Sequence, residues 1–179
     1  MGSPGEDDQT HRGSVNIDYR YGTDDGPRIG SIYPLERVGL NMLFTFNSGH
    51  PYTTVDPKSI GQNSSIPVEE LNASRTPWVF QIDARLDKSF KVGPLDMNVY
   101  IWVLNLLNTK NVTAVYSATG TATDDGWLAS ENGQKRVDTY NGYGDVFGQA
   151  YLDMYNQSLA NAGVYGAPRQ IRLGFRFNF

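Results

Sequence analysis

In the stretch RQIRLGFRFNF, at Arg169–Phe179, an apolar side chain occupies every second position from Ile171 onward. Successive side chains of a β-strand point to opposite faces, so a period of two predicts a strand. One face of this strand is basic, because Arg172 and Arg176 lie on it. The other face is apolar and consists of Ile171, Leu173, Phe175, Phe177 and Phe179.

Four further segments show the same alternation. The predicted strands cover residues 11–22, 38–48, 78–90, 95–117 and 168–179. They exceed the roughly 5–6 residues that strands of soluble sandwiches usually have, and they reach the ~9–11 residues that cross a membrane. The predicted fold class is all-β, with long antiparallel meander strands that form part of a transmembrane β-barrel. Residues 1–10 are assigned to a tail or cloning remnant, and residues 11–179 to the partial barrel.

The composition narrows the class of protein. The 179 residues have a mean hydropathy of −0.45, and no segment approaches the ~18 apolar residues of a membrane helix. A membrane strand shows only half of its side chains to lipid, so this value is compatible with a barrel. The net charge of −4, without a basic run, argues against a nucleic-acid partner. The absence of cysteine excludes disulfides and thiolate chemistry.

The polar faces of the predicted strands carry charges of both signs at every second residue. An arginine or lysine facing lipid at the bilayer midplane costs about 2–4 kcal/mol, so these faces are expected to look into a water-filled lumen. The predicted lumen-facing residues are Asp83, Arg85, Asp87, Arg172 and Arg176. A soluble sheet with one wet face would show the same alternation.

The connections are predicted to alternate in length. A tight hairpin is expected at Lys91–Pro94 and an intermediate loop at 22–37, whereas 52–77 and 121–167 are long. Outer-membrane barrels place short turns on the periplasmic side and longer loops outside. One short helix is expected in the last long loop, capped by Asp145 and carrying an apolar stripe of period 3.6.

Few residues suggest chemistry. The two histidines, His11 and His50, are far apart in sequence, so no catalytic residue, metal ligand or cofactor site is predicted. The Asp-Asp-Gly repeats at 24–26 and 124–126 fit turns, and a calcium site there is the alternative. Four aromatic residues of the last loop could stack on a ligand or pack the loop: Trp127, Tyr140, Tyr143 and Tyr151.

Several short motifs, in this order and spacing, resemble one family. They are DQTH at 8–11, SGHPYT at 48–53, NASRTP at 72–77, NLLN at 105–108, VYSATG at 115–120 and APRQIRLGFRFNF at 167–179. Together they resemble the C-terminal part of a TonB-dependent outer-membrane receptor. The similarity is greatest to the carboxypeptidase-regulatory-like receptors of Bacteroidetes and their relatives, and it covers residues 8–179.

The resemblance implies a bacterial outer-membrane location and a role in energy-coupled nutrient uptake in a Gram-negative cell. It also implies that the barrel-assembly machinery reads the final strand as a signal, formed here by Phe179, Phe177, Phe175 and Leu173. The expected partners are outer-membrane lipid, the remaining barrel strands and plug of a receptor, or other copies of this chain. No enzymatic activity is expected.

Three functions remain open. Receptors of this family have 22 strands and a plug, so about five strands without a plug would form the wall of a receptor but not a transporter alone. In the second hypothesis, the open β edges pair between chains into an oligomer or filament. The third is a secreted all-β binding module that never meets a membrane.

Overall fold

The computed structural model describes residues 8–61 and 65–178. Phe179, part of the predicted assembly signal, lies outside this range. The chain forms seven strands in this order: β1 (Arg12–Arg20), β2 (Val38–Asn47), β3 (Pro51–Tyr52), β4 (Ser74–Arg75), β5 (Val79–Val92), β6 (Leu95–Leu104) and β7 (Gln170–Asn178). Two helices, α1 (Glu131–Gly142) and α2 (Asp145–Ala160), lie between β6 and β7.

The long strands form one five-stranded sheet in the order β1-β2-β5-β6-β7, and β3 pairs with β4 in a separate ladder. The chain divides into two compact units. Of the described residues, the first unit comprises 8–11, 48–61, 65–79 and 112–166 and contains both helices; the second comprises 12–47, 80–111 and 167–178 and contains the five-stranded sheet apart from Val79. The predicted antiparallel meander is confirmed, and the sheet is open in the part of the chain that the structure describes.

The register places apolar residues of neighbouring strands opposite one another. Ile17 lies opposite Met42 between β1 and β2, and Leu173 lies opposite Ile101 between β6 and β7. Directly opposed residues of an antiparallel pair point to the same face. The alternation of each strand therefore adds up to one continuous apolar face and one polar face.

The fourth strand is shorter than predicted. β6 ends at Leu104 instead of continuing to residue 117. Asn105 stops it, with a φ of 54° and a side chain that is 2% exposed. Its amide donates to the carbonyls of Thr109 and Ala167 and accepts from the Thr109 N–H, each at 2.9–3.0 Å. The alternation of short and long connections survives, because none of the residues between Leu104 and Gln170 adds a strand to the sheet.

The last long loop contains two helices, so the prediction of a single helix was wrong. The helix α1 begins after Ser130, whose hydroxyl accepts from the Gly133 N–H at 3.0 Å, and Lys135 pairs with Glu131 one turn apart. This cap is a sequence signal, but α1 has too few apolar residues for a stripe. α2 lies at the predicted place; Gly144, not Asp145, is its N-cap residue.

The two shorter connections of the sheet lie near each other. Gly93 and Pro94 alone link β5 to β6, and Gly93 has a φ of 60° that suits a tight turn. The Ser89 N–H donates to the Arg37 carbonyl at 3.1 Å, which places the beginning of β2 beside the end of β5. The segment 21–37 and the Gly93–Pro94 turn therefore lie at the same end of the sheet.

Candidate functional site on the polar face of the sheet

An ion pair spans three strands on the polar face. Arg20 of β1 donates to both carboxylate oxygens of Asp87 of β5, at 3.0 Å each. Gly39 of β2 lies opposite Arg20, and a Cβ atom built on it would lie 2.4 Å from the guanidinium. The missing side chain therefore makes room for Arg20 to cross β2. Asn98 of β6 also donates to Asp87, at 2.9 Å.

Aromatic rings support two other arginines of this face, Arg85 and Arg172. Arg85 lies over the ring of Tyr100 at 4.3 Å, and Arg172 lies over Trp102 at 5.4 Å. Gly174 of β7 lies opposite Tyr100, and a Cβ atom there would be 2.2 Å from the tyrosine ring. Cation–π contacts of this kind fix a guanidinium without neutralising its charge.

The five predicted lumen-facing residues do not form one cluster. Asp87 joins Arg20, whereas Asp83 accepts from the Gln81 amide at 2.8 Å and from the Asn105 N–H at 2.9 Å. Asp83 therefore anchors the point where β6 ends. Arg172 donates to Gln170 on its own strand, at 3.0 Å.

A groove of about 450 Å³ opens on the polar face, where Arg85, Asp87 and Arg176 line it together with residues that the set of predicted sites does not contain. Those additional residues are Asp18, Arg20, Asn41, Ser89 and Asn98. Each lies at a polar position of the alternation, so the strand period could have indicated them. The pairing of Arg20 with Asp87 could not be indicated, because it depends on which strands are neighbours.

The loop aromatics are mostly packed against each other. The Trp127 indole donates to the Tyr151 hydroxyl at 2.7 Å, and the rings of Tyr140 and Tyr151 stack at 4.8 Å. Tyr143 touches Tyr140 edge-on and is 71% exposed. Three of the four predicted ligand-contacting aromatics therefore pack the loop, and Tyr143 alone among these four offers a largely open ring.

The carboxylates of both Asp-Asp-Gly repeats stabilise turns. Asp25 accepts from the Gly26 N–H, and Asp124 accepts from the Gly126 N–H, both at 2.8 Å. Asp125 accepts from the Tyr155 hydroxyl; burial, then this hydrogen bond, raises the pKa of Tyr155. Within residues 8–61 and 65–178, no group of three or more His, Asp or Glu side chains is placed to hold a metal ion.

The two histidine rings make separate contacts, one aromatic and one polar. The ring of His11 stacks on Trp78 at 5.9 Å, and a ring nitrogen of His50 lies 3.0 Å from the Gln9 amide. Asp8, which the sequence assigns to a tail, forms an ion pair with Arg75 at 2.9 Å. These contacts hold the start of the described chain against the segment 48–79.

The apolar face of the sheet is open. Leu173 is 71% exposed and Phe175 is 67% exposed, and both belong to the predicted assembly signal, as does the exposed Phe177. The buried apolar side chains in the described part of the chain are those of Pro51, Ala122 and Val164, and all of them lie outside the five-stranded sheet. The sheet therefore has no apolar core of its own among the described residues.

Comparison with family models, with curated proteins and with solved structures found no match to this chain. Among the described residues, no helix is both long and apolar enough to cross a membrane.

Proposed function

We propose that this chain is a wall-forming segment of a TonB-dependent outer-membrane receptor that takes up nutrients, with its apolar face against lipid and its polar face toward the lumen. One observation carries the proposal. All five strands turn apolar side chains to one uncovered face, while charged side chains pair on the other.

The free energy of hydration argues for an apolar environment at the uncovered face. Burial of a leucine or phenylalanine side chain is worth about 1.5–3 kcal/mol, and this face leaves many such side chains exposed to solvent. Contiguous apolar patches of this kind on soluble proteins mark interaction or membrane surfaces. The large apolar residues of the five strands that are more than a third exposed are Val15, Ile17, Tyr19, Leu40, Phe46, Phe80, Leu86, Ile101, Ile171, Leu173, Phe175 and Phe177.

Strand length and the placement of aromatic residues support lipid as the occupant. Four of the five strands have 9 or 10 residues, within the ~9–11 that cross a bilayer, and β5, with 14, is longer. On β5, Phe80 and Phe90 flank the smaller Ile82, Ala84 and Leu86 of the same face. Lys88 is the one charged residue on this face of β5; it lies two residues from Phe90, and its ammonium group donates to the Pro34 carbonyl at 2.6 Å. Aromatic residues at both interfaces with aliphatic residues between them are typical of outer-membrane strands.

The second candidate is assembly between chains, and the open edges favour it. β1 and β7 each have one neighbour in the sheet, so their outer edges offer unpaired N–H and carbonyl groups. In a membrane such groups must be paired, because each unpaired one costs several kcal/mol there. Lipid contact and edge pairing are therefore compatible, and the partner strands belong to the rest of a receptor or to other copies.

Fluorescence quenching in lipid tests the proposal. The chain has no cysteine, so single cysteines can be labelled without background. Leu173→Cys on the apolar face and its neighbour Arg172→Cys on the polar face each receive a small fluorophore, and the chain is refolded into vesicles of lipids brominated at mid-chain. We expect strong quenching at residue 173 and weak quenching at residue 172. Equal quenching at both would disprove a lipid-facing sheet.

A second pair on β1 guards against an effect of the chain terminus. Ile17→Cys and Asn16→Cys repeat the comparison at the opposite edge of the sheet, with the same expected order.

Mixing Ile17→Cys with Phe175→Cys under oxidising conditions tests the edge candidate, because the two cysteines are on separate chains. A covalent dimer of the two variants supports pairing between copies, and its absence counts against a pairing of copies that brings residues 17 and 175 together.

A further inference from the structure

The groove on the polar face carries more positive than negative charge. Three arginines, Arg20, Arg85 and Arg176, and two aspartates, Asp18 and Asp87, line it, so its formal charge is +1. Its volume of about 450 Å³ is within the range of small-molecule sites, about 300–1,000 Å³. An excess positive charge in such a concavity attracts anions.

Partners within the protein already hold both carboxylates of the groove. Asp87 accepts two hydrogen bonds from Arg20 and one from Asn98. Asp18 accepts from the Asn41 amide at 3.2 Å. Asp87 therefore neutralises Arg20, and Asp18 keeps its negative charge, so Arg85 and Arg176 leave the groove with an excess of one positive charge.

The guanidinium of Arg85 is held in place, but one of its hydrogen-bond donors has no acceptor in the structure. Its guanidinium stacks on Tyr100 at 4.3 Å, and its Nε atom is shielded from solvent without a hydrogen-bond partner in the structure. A buried donor without an acceptor costs about 1–3 kcal/mol. Neither Arg85 nor Arg176 is in an ion pair with any residue that the structure describes. Among the described residues, Arg85 and Arg176 therefore bring donors and charge to the groove, and the nearby Asp87 carboxylate, which attracts Arg85 through space, is bound to Arg20 and Asn98 instead.

A hydroxyl completes the set of donors. The Ser89 hydroxyl oxygen accepts from the Asn98 amide at 2.9 Å, which leaves its own proton to donate. Ser89 lies opposite Asn98, and Asn98 lies opposite Arg176, so these three residues form one row across β5, β6 and β7.

We propose that Arg85 and Arg176, assisted by the Ser89 hydroxyl, bind the oxyanion of a small solute, a carboxylate or a phosphate group, in this groove. Charge-assisted hydrogen bonds from arginine to such groups are about twice as strong as neutral ones. The proposal goes beyond the wall-forming role and does not depend on it, because all of these residues lie on one face of one sheet.

Calorimetric titration of the full chain in detergent, at low salt, tests the site. The probes are citrate for the carboxylate, inorganic phosphate for the phosphate, and glucose as an uncharged control. We expect one of the two anions to bind and glucose not to bind. Arg85→Gln and Arg176→Gln should each weaken anion binding roughly ten- to hundredfold, since each removes a charged donor.

Arg172→Gln is the matched control. It removes the same charge from the same face, but Arg172 does not line the groove and should change the affinity by less than about threefold. If Arg172→Gln weakens anion binding as much as the other two substitutions do, the effect is general electrostatics and the proposed anion site is wrong. The proposal is also wrong if neither anion binds. If Arg85→Gln does not fold, Arg176→Gln still tests the anion site, because Arg176 is exposed and its replacement should leave the fold intact. The quenching experiment can fail while anion binding persists, so the two proposals are separable.

Discussion

The guanidinium of Arg20 crosses Gly39 and donates to both carboxylate oxygens of Asp87, at 3.0 Å each. The three residues lie on three successive strands of the sheet, β1, β2 and β5. Asp87 is 7% exposed, so this pair fixes a nearly buried charge. A small residue on the middle strand is thus what allows a long-range ion pair.

Enlarging Gly39 should destabilise the sheet. In Gly39→Val the new side chain would occupy the path of Arg20, and we expect a loss of about 1–3 kcal/mol in the free energy of unfolding. Urea unfolding in detergent, followed by circular dichroism, measures it. Gly142→Ala is the control, because a Cβ atom there meets nothing within 4 Å. An unchanged urea midpoint for Gly39→Val would show that Arg20 has another route to Asp87.

Removal of Arg20 should cost more than removal of the pair. Arg20→Met leaves Asp87 with the Asn98 hydrogen bond alone, and we expect a loss of about 1–2 kcal/mol because Arg20 itself is half exposed. Asp87→Asn in the same background should restore part of it. A double-mutant cycle gives the coupling energy, expected at about 1 kcal/mol. A coupling of zero would mean that the pair contributes nothing to stability.

The side chain of Asn111 makes the hydrogen bonds to the backbone of β5 that a neighbouring strand would otherwise make. Its amide accepts from the Phe80 N–H at 3.1 Å and donates to the Phe80 carbonyl at 2.8 Å. Asn111→Ala should destabilise the start of β5 by about 1–3 kcal/mol and accelerate hydrogen exchange of the Phe80 amide. Asn156→Ala, at an exposed position of α2, should leave that exchange rate as it is. Unaltered exchange at Phe80 in Asn111→Ala would contradict the role of Asn111.

Tyr155 should make stability depend on pH in the alkaline range. Burial and the hydrogen bond to Asp125 raise its pKa above the ordinary value of about 10. The unfolded chain therefore loses this proton first, and stability falls as pH rises above about 10, toward the folded-state pKa. Below about pH 10, Tyr155 is protonated in both the folded and the unfolded chain, so its contribution to stability is fully present.

Urea unfolding at several pH values between about 8 and 12 measures this dependence. Tyr155→Phe should lose less stability over the range than the unmodified chain does. Tyr143→Phe, at an exposed ring, should follow the unmodified chain. Identical slopes for the unmodified chain and Tyr155→Phe would rule out Tyr155 as the group responsible.

The alternation in the sequence located most of the sheet. Four strands begin and end within two residues of the predicted positions, because a period of two is a property of each strand alone. The end of β6 was not predicted, since Tyr100, Trp102 and Leu104 made both faces apolar and no period marked Asn105. The helix α1 was missed because polar residues dominate it and its Ser130 cap is a short signal.

The sequence by itself determined which side chains share a face, and so the separation of an apolar face from a charged one. Only the tertiary structure decided which charges pair and that the Arg20 side chain crosses β2 above Gly39. It also decided that Arg85 and Arg176 form no ion pair with any of the described residues. The physical reason is distance along the chain. Arg20 and Asp87 are 67 residues apart, and strand order and register, which no local pattern encodes, bring them together.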